Sequence, residues 1–252
     1  MGSMELAGRT ALVTGGSRGI GRAVCVRLAR EGARIGLNYT RNEDAARAAQ
    51  ALVEAEGADC ALVKADVSDP AAVAAMVGEV ERALGPVDLL VTSAGVAPDE
   101  SRGEVSFEEW RRAMAVNLDG TFLPIMAVKD GMIGRGFGRI VCFASIAGLR
   151  PRAAMLAYST SKAAAIGFAR SCSEAFAPAI RINCIAPGLI DTDMPAASLT
   201  PEIRQRMIEA TPLKRIGRPE EMAELALFLL SERSSYTTGQ TYVADGGRVT
   251  LP

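Results

Sequence analysis

The chain has 252 residues, of which 49% are hydrophobic, and its 28 Lys and Arg residues nearly balance 29 Asp and Glu residues. This apolar fraction excludes a disordered chain, and a net charge of -1 gives no electrostatic attraction for nucleic acid or for an anionic membrane surface. Histidine is absent, which excludes a Ser-His-Asp triad and every His-based metal site, and we predict no metal centre. Proton chemistry must therefore use Tyr, Lys, Ser, Cys or carboxylates.

Two features of the sequence predict a cytoplasmic protein without a membrane partner. No apolar run approaches the length of about 18 residues that a spanning helix needs, and residues 1–10 lack the basic and apolar regions of a secretory signal. The five cysteines are odd in number and form no Cys-x-x-Cys pair, so we interpret them as buried free thiols in a reducing compartment. Residues 1–3, which precede a second methionine, are interpreted as an expression scar.

Short apolar runs alternate with longer helical patterns along the chain. The runs are apolar on both faces, as in the buried strands of a parallel sheet. This alternation predicts an α/β fold with a doubly wound sheet of seven parallel strands, helices on both faces and a single domain over residues 1–252. The predicted strands are residues 10–14, 34–39, 60–65, 88–92, 139–144, 181–186 and 241–244.

A glycine-rich turn follows the first predicted strand and leads into a helix. It reads Thr14-Gly15-Gly16-Ser17-Arg18-Gly19-Ile20-Gly21. Glycines allow the backbone to turn tightly and to approach a pyrophosphate, and the helix N-terminus supplies free N–H groups and a positive dipole end. The spacing G-x-x-x-G-x-G differs from the commoner G-x-G-x-x-G, but its position after the first strand of a βα chain predicts dinucleotide binding.

The end of the second strand indicates which dinucleotide is bound. NAD-binding domains place an acidic residue there for the ribose 2′-OH, whereas this chain has Asn38-Tyr39-Thr40-Arg41. Arg18 and Arg41 would suit a 2′-phosphate, which predicts NADPH/NADP+ rather than NADH; the alternative is that both are ordinary surface charges. Asp66, at the end of the third strand, is a candidate partner for the adenine amino group or a turn residue.

The helices and one long connection complete the pattern. Two long helices with broad apolar faces are predicted at residues 106–133 and 157–177. Residues 188–212 lack a clear period, and a segment of this length inside a domain is usually functional. We interpret residues 189–212 as a substrate lid. Its apolar side chains are Met194, Pro195, Leu199, Ile203, Met207 and Ile208. The helix-start signals are Asp69 before Pro70, Ser106 with Glu109, and Arg218 before Pro219.

Tyr158 and Lys162 form a candidate acid–base pair. They are four residues apart in a helical stretch, so both project from one face. A free Tyr has a pKa of about 10, and use near neutrality requires a decrease of roughly 3 units, equivalent to about 4 kcal/mol. An ammonium group about 4 Å away supplies about 4 kcal/mol at an effective dielectric constant near 20. Lys162, aided by the positive nicotinamide ring of the oxidised complex, would therefore be sufficient in magnitude to lower the Tyr158 pKa.

These sites and the residues around them resemble the short-chain dehydrogenase/reductase family over essentially the whole chain. Ser145 precedes Tyr158 by the family's usual 13 residues. The resemblance implies a Rossmann-type fold and an oxidoreductase acting on CH–OH and C=O groups. Tyr158 would donate a proton to the substrate carbonyl oxygen, Ser145 would position that oxygen, and Lys162 would hold the nicotinamide ribose. Asn117 would hold a water that relays protons to Lys162.

The resemblance also implies a set of cofactor contacts. The segment Ser93-Ala94-Gly95 would lie against the adenosine ribose, with Ser93 in place of the family's usual Asn. Residues 187–192 would line the nicotinamide and its phosphate. The expected cofactor-binding residues are Gly15, Ser17, Arg18, Gly19, Ile20, Gly21, Tyr39, Thr40, Arg41, Asp66, Val67, Ser93, Ala94, Gly95, Tyr158, Lys162, Pro187, Gly188, Ile190 and Thr192.

Several segments, including residues 15–21, 38–41, 191–194 and 236–241, resemble β-ketoacyl-acyl-carrier-protein reductases. This implies NADPH-dependent reduction of a 3-oxoacyl thioester in fatty acid biosynthesis, an acyl carrier protein as partner, and a homotetramer. Residues 176–180, however, are one residue shorter than usual and lack the expected basic residue. The alternatives are a free ketone, sugar or polyketide intermediate as substrate, or a nucleotide sensor without catalysis. A sensor has no need for the complete set of Asn117, Ser145, Tyr158 and Lys162.

Overall fold

A computed structural model of the chain describes residues 4–98, 100, 104–150, 154–192 and 200–249. Within these residues, strands and helices alternate as expected. The strands are β1 Thr10–Thr14, β2 Arg34–Tyr39, β3 Cys60–Lys64, β4 Val87–Thr92, β5 Gly138–Phe143, β6 Ile180–Pro187 and β7 Thr241–Ala244. The helices are α1 Gly19–Arg30, α2 Glu43–Ala55, α3 Pro70–Leu84, α4 Phe107–Met114, α5 Gly120–Gly134, α6 Leu156–Ala175, α7 Pro201–Glu209 and α8 Pro219–Leu230.

The strands form one parallel sheet in the order β3-β2-β1-β4-β5-β6-β7. The prediction of a doubly wound, seven-stranded parallel sheet is therefore confirmed. β1 lies between β2 and β4, and Val13 pairs with Leu37 on one side and Val91 on the other. This is the topological switch point, and the crevice outside the carboxyl ends of these strands is where such sheets bind ligands.

Helices cover both faces of the sheet. Side chains of α1, α2 and α8 pack on one face, as Leu28, Val53 and Leu227 show. Side chains of α3, α5 and α6 pack on the other face, among them Met76 and Ile125. β1, β4 and β6 are buried throughout, whereas the edge strands β3 and β7 are partly exposed. The two apolar layers hold the loops at the carboxyl ends of the strands in place.

Two predicted elements are wrong in detail. The helix expected over residues 106–133 is divided into α4 and α5 by a π-helical turn at Ala115–Asp119. The aperiodic segment 188–212 contains α7, whose cap is Thr200, because its side chain accepts a hydrogen bond from Ile203 N. Thr-Pro at residues 200–201 is a helix-start signal that the sequence interpretation missed. Residues 193–199 of the expected lid, and residues 1–3, lie outside the described residues.

None of the described helices has both the length and the hydropathy that crossing a bilayer would require. The five cysteines are free thiols, and Cys60 is the one that is partly exposed, while the other four are buried. The prediction of free, largely buried thiols is therefore confirmed.

Candidate active site

The glycine-rich turn after β1 packs closely against the loop after β4. Gly15 has a φ of +66°, and a Cβ atom there would lie 2.9 Å from the backbone of Ala94. Thr14 Oγ1 accepts hydrogen bonds from Ser93 N at 3.1 Å and Ala94 N at 3.3 Å. Glycine is needed at residue 15 because its backbone is left-handed and its neighbour is too close for a side chain.

Asn38 at the end of β2 braces the same turn, a role that the sequence interpretation missed. Its Oδ1 accepts a hydrogen bond from Gly15 N at 3.2 Å, and its backbone carbonyl accepts one from Gly16 N at 2.9 Å. Its Nδ2 donates to the carbonyls of Val63 and Ala65. The side chain is 1% exposed, so it holds β2, β3 and the glycine turn together rather than facing a ligand.

The N-terminus of α1 fits a phosphate group. Arg18 occupies the N-cap position without a side-chain capping bond, and the first turn carries no acidic residue. Gly19 has a φ of +52°, and a Cβ atom there would lie 3.2 Å from Thr192 Cγ2. The glycine turn and the segment that follows β6 therefore face each other, as binding of one cofactor by both segments would require. The amides of this helix end are available to an anion by dipole and by hydrogen bonding.

The residues at the ends of β2 and β3 differ in how they fit the cofactor prediction. Arg18 and Arg41 are exposed. Tyr39 packs in the core with 8% exposure, and Thr40 Oγ1 donates to Ala65 O at 3.3 Å. The carboxylate of Asp66 accepts hydrogen bonds from Ser68 N and Ser68 Oγ, which, together with Arg41, hold its pKa below the usual range. Asp66 is therefore a turn residue, and its contact with the adenine amino group stays a prediction.

The end of β5 and the start of α6 bring Ser145 and Tyr158 together. Ser145 caps a short 3-10 turn at Ile146–Gly148, and its Oγ accepts a hydrogen bond from Ala147 N at 3.1 Å. The Ser145 side chain also lies near enough to the Tyr158 hydroxyl to oppose, through hydrogen bonding, an increase in the Tyr158 pKa. The two hydroxyls line one cavity of about 480 Å³ together with Lys162. A carbonyl oxygen entering this cavity would meet two adjacent O–H groups.

The expected lowering of the Tyr158 pKa by Lys162, aided by an oxidised nicotinamide ring, stays a prediction, and in the protein alone burial acts on this pKa in the opposite direction. Burial raises the pKa of Tyr158, and the Ser145 hydrogen bond opposes this increase. Lys162 Nζ lies 5.9 Å from the centroid of the Tyr158 ring and donates to Phe143 O at 2.8 Å. Burial also lowers the pKa of Lys162 to about 8.

Asn117 ties three elements together from within the π-helical turn. Its Oδ1 accepts from Val96 N at 2.8 Å, and its Nδ2 donates to Val96 O and to Ser161 Oγ, both at 2.9 Å. The Ser161 hydroxyl in turn donates to Tyr158 O at 2.8 Å. Asn117 thus links the loop after β4 to α6 through its side chain. Its expected role in holding a water stays a prediction.

Glu100 is a buried acidic residue that the sequence interpretation missed. It is 2% exposed, and its carboxylate accepts hydrogen bonds from Ala157 N at 3.1 Å and Tyr158 N at 3.2 Å. α6 has no side-chain cap at Met155 and no acidic residue in its first turn. Glu100 therefore supplies the missing cap from the β4 loop. Its separation from Ala157 of 57 residues explains why no local sequence signal exposed it.

The remaining walls of the cavity are mostly apolar. Ile203 and Met207 contribute from α7, as the lid prediction required, and Arg248 contributes from the segment after β7. Met155 and Ile146 also line the cavity. The expected site residues that line this cavity are Ile20, Ser93, Gly95, Ser145, Tyr158, Lys162, Pro187, Gly188, Ile190 and Thr192.

Comparison with known proteins agrees with this geometry. The family model described as enoyl-(acyl carrier protein) reductase, a short-chain dehydrogenase/reductase model, matches residues 15–248. The chain belongs to the short-chain dehydrogenase/reductase family. It is therefore an oxidoreductase, and the family uses a nicotinamide cofactor. The glycine turn and the open end of α1 fit such a cofactor.

Curated relatives in this family align over nearly their whole length. An acetoacetyl-CoA reductase of Rhizobium meliloti is 38% identical over 241 residues, which are 95% of this chain and 98% of the relative. A 3-oxoacyl-[acyl-carrier-protein] reductase of Chlamydia trachomatis is 39% identical over 243 residues, covering 96% and 98%.

Solved structures of the family also match. A 3-oxoacyl-[acyl-carrier protein] reductase from Brucella melitensis has a TM-score of 0.90 and 33% identity, covering 98% of this chain and 96% of that one. A putative gluconate dehydrogenase from Agrobacterium tumefaciens has a TM-score of 0.93 and 32% identity, covering 100% of both chains. The predicted family is confirmed, and these relatives are named for different substrates.

Proposed function

We propose that the protein reduces a ketone to a secondary alcohol with NADPH and that its substrate is a 3-oxoacyl thioester. The observation that carries this proposal is the largely apolar cavity that Ser145, Tyr158 and Lys162 line together. The relatives named acetoacetyl-CoA reductase and 3-oxoacyl-[acyl-carrier-protein] reductase support the choice of substrate class. The proposed catalytic residues are Asn117, Ser145, Tyr158 and Lys162.

The side chains divide the reaction between them. Ser145 and Tyr158 donate hydrogen bonds to the carbonyl oxygen, and Tyr158 transfers its proton to that oxygen as the alcohol forms. The ammonium group of Lys162 stabilises the phenolate that the transfer leaves behind. The nicotinamide, when bound, supplies the hydride that reaches the carbonyl carbon. Apolar walls from Ile146, Met155 and α7 exclude water from the reacting groups.

A substrate panel tests the proposal. The enzyme is assayed with NADPH and an acetoacetyl thioester of an acyl carrier protein, of coenzyme A and of N-acetylcysteamine, alongside small free ketones and ketosugars. Turnover of the thioesters with higher kcat/KM than the ketones and sugars supports the proposed substrate class. Equal or better turnover of free ketones or sugars refutes it and favours the alternative reductase. Absence of any turnover with an enzyme that binds nucleotide favours a sensor.

The same panel tests the proposed acyl carrier partner. We expect the carrier thioester to be preferred to the truncated N-acetylcysteamine thioester through a lower KM, because a carrier adds contacts outside the cavity. Arg135 and Arg139 are the basic residues that would meet an acidic carrier, and Arg139 is already paired with Glu232 at 3.0 Å and stacked on Phe137. Equal KM values for the two thioesters refute a carrier partner and leave the reductase intact.

The preference for NADPH is a separate part of the proposal. It is supported by the absence of a carboxylate at the end of β2, where Asn38 is turned into the fold, and by the exposure of Arg18 and Arg41 beside the glycine turn. Charge-assisted hydrogen bonds to phosphate are strong.

Free thiols also support the proposed cytoplasmic location, since thiols persist in reducing compartments.

Replacement of Arg41 tests the cofactor preference. Arg41→Ala should raise the KM for NADPH by about 10-fold or more, from the loss of one charged hydrogen bond, and leave the KM for NADH unchanged. Arg47→Ala is the matched control, because Arg47 is an exposed arginine on the neighbouring α2 that pairs with Glu43 at 2.6 Å. Equal effects of Arg41→Ala on both cofactors, or a wild-type preference for NADH, overturn the assignment.

A further inference from the structure

The hydroxyl of Ser161 links the backbone of Tyr158 to another part of the fold. Ser161 is fully buried, and its Oγ donates a hydrogen bond to Tyr158 O at 2.8 Å. The same oxygen atom accepts a hydrogen bond from Asn117 Nδ2 at 2.9 Å. We propose that Ser161 is a positioning residue for the reaction and that it holds Tyr158 in place against the loop after β4. This inference rests on the proposed ketone reduction, in which Tyr158 is the proton donor.

The hydrogen bond from Ser161 is not needed to satisfy the Tyr158 carbonyl. In an α-helix a carbonyl accepts a hydrogen bond from the N–H four residues later, and Tyr158 and Lys162 both lie within α6. The Ser161 hydroxyl is therefore a second donor to this oxygen. Ser173 makes the same kind of bond further along α6, to Arg170 O at 2.7 Å. Ser161 does more, since its hydroxyl also accepts a hydrogen bond from a side chain of the π-helical turn.

Asn117 carries the link on to the loop after β4. Its Oδ1 accepts a hydrogen bond from Val96 N at 2.8 Å, and its Nδ2 donates to Val96 O at 2.9 Å. The two N–H groups of Nδ2 are therefore both used, one on Val96 and one on Ser161. Rotation of the buried amide or of the hydroxyl would leave a donor unpaired, which is unfavourable, so this network favours a single arrangement.

The loop after β4 also borders the proposed cofactor site. Ser93 and Gly95 line the cavity, and a Cβ atom on Gly95 would lie 3.3 Å from Asn117 Oδ1 and 3.6 Å from Lys162 Nζ. The proposed nucleotide contacts and the bonds to Asn117 thus come from one short segment. Through Ser161 the backbone of the proton donor is tied to that segment as well as to α6.

Side chains hold both backbone polar groups of Tyr158. Glu100 accepts a hydrogen bond from Tyr158 N at 3.2 Å, and Ser161 donates one to Tyr158 O at 2.8 Å. A misplacement of about 1 Å between reacting groups costs up to about 100-fold in rate. Loss of the Ser161 hydroxyl should therefore slow proton transfer from Tyr158 without weakening the binding of nucleotide or substrate.

The test compares two buried serines of α6 that each donate to the carbonyl three residues earlier. With the ketone that the wild type reduces fastest, Ser161→Ala should lower kcat by about 10-fold and change the KM values for NADPH and the ketone by less than about 2-fold. The solvent deuterium isotope effect on kcat should increase, because proton transfer becomes slower relative to the other steps. Ser173→Ala is the matched control, since Ser173 is also buried, and it should leave both quantities unchanged.

A second variant decides the matter if Ser161→Ala does not fold. Ser161→Cys keeps the size of the side chain and a weak donor, so its kcat should fall less than that of Ser161→Ala, with unchanged KM values. Wild-type kcat and isotope effect in Ser161→Ala, or in Ser161→Cys where the alanine variant does not fold, overturn the inference. A loss that appears mainly in KM overturns it too. Equal losses of kcat in Ser161→Ala and Ser173→Ala also overturn it, because they indicate a general weakening of α6.

Hydrogen exchange separates this inference from the proposed function. In the complex with NADP+, amide exchange in peptides covering residues 156–162 should be faster in Ser161→Ala than in the wild type, and unchanged in Ser173→Ala. This measurement needs no turnover. If the wild type reduces no ketone, the proposed function fails, and faster exchange confined to these peptides still supports the hold of Ser161 on Tyr158. Unchanged exchange overturns the inference, whatever the enzyme reduces.

Discussion

Burial acts on Tyr158 and Lys162 in opposite directions. It raises the pKa of Tyr158, because the phenolate is the charged form, and lowers the pKa of Lys162 to about 8, because the ammonium is the charged form. Tyr158 therefore keeps its proton throughout the neutral range and serves as a donor. Lys162 is the group of the pair that changes its charge near physiological pH.

The pH dependence of ketone reduction should report this lysine. We expect kcat/KM to fall as the pH rises through about 8, because neutral Lys162 no longer stabilises the phenolate left by proton transfer. The measurement is the initial rate of NADPH oxidation with a small thioester between pH 6 and 10. Circular dichroism over the same range controls for unfolding. A rate that stays constant up to pH 10 would contradict the assignment.

Glu100 acts on the chemistry through the helix that it caps. Glu100→Ala should lower kcat by about 10-fold with little change in KM, because the start of α6 and Tyr158 with it lose their anchor. It should also lower the melting temperature by about 2–4 °C, as the loss of a cap of about 1 kcal/mol would in a domain of this size. Glu100→Gln should be intermediate, because it keeps one acceptor oxygen.

Glu104→Ala is the control for Glu100, since Glu104 is an exposed acid in the same loop. A structural role alone would lower the melting temperature and leave kcat unchanged. That outcome would show that Glu100 does not position Tyr158.

At the scale of the elements, we expect the glycine turn after β1 to be the most sensitive to substitution. Gly15→Ala should raise the KM for the nucleotide by about 10-fold or more, because the added Cβ atom would push the turn away from Ala94. Gly8→Ala is a matched control: Gly8 has a φ of +77° but no heavy atom within 4 Å of the added Cβ. Both variants carry the same backbone strain, so equal nucleotide KM values would refute the importance of the close contact.

Most elements follow from local sequence signals. The strands are predicted within one residue at nearly every end, because buried parallel strands are short apolar runs between glycines, prolines and charged residues. The caps at Asp69 and Ser106 form as expected. The π-helical turn is not predictable from such signals, because it depends on the bonds of Asn117 to Val96 and Ser161 in other elements.

The candidate site shows the same limit. The glycine turn, Ser145, Tyr158 and Lys162 stand in recognisable local motifs, and the fold places them together. Glu100 and Arg248 do not, because each meets the site only through tertiary packing. The opposing effect of burial on the Tyr158 pKa was missed for a related reason: spacing along a helix does not show how deeply a side chain is buried.

At the scale of the whole molecule, the paired helices α5 and α6 present an apolar outer surface. Phe122 is 40% exposed, and its ring centroid lies 5.4 Å from that of Phe168. Leu156, at the start of α6, is also exposed. Large exposed apolar patches mark contact surfaces, and the exposed Phe122 and Leu156 are consistent with the predicted homotetramer, in which closed symmetric assembly would bury them.

Phe122→Asp should reduce the mass of the assembly in light scattering at micromolar concentration, because a buried unpaired charge at a contact between subunits is unfavourable. Leu52→Asp should not, although Leu52 on α2 is 49% exposed, because α2 lies on the opposite face of the sheet. A monomeric mass for the wild type would refute the tetramer prediction outright.

Because the loops after β1 and β4 together form the nucleotide cleft, we expect nucleotide binding to affect how fast the protein is degraded. Thr14 and Ser93 meet across 79 residues of sequence, so the nucleotide cleft exists only after a long stretch of chain has closed. A ligand that binds only the closed form stabilises it by about 2.7 kcal/mol at 100 times its Kd. A global opening that separates β1 from β4 would expose the chain to proteases. Cells depleted of the nucleotide should therefore degrade this protein faster than cells that are replete with it.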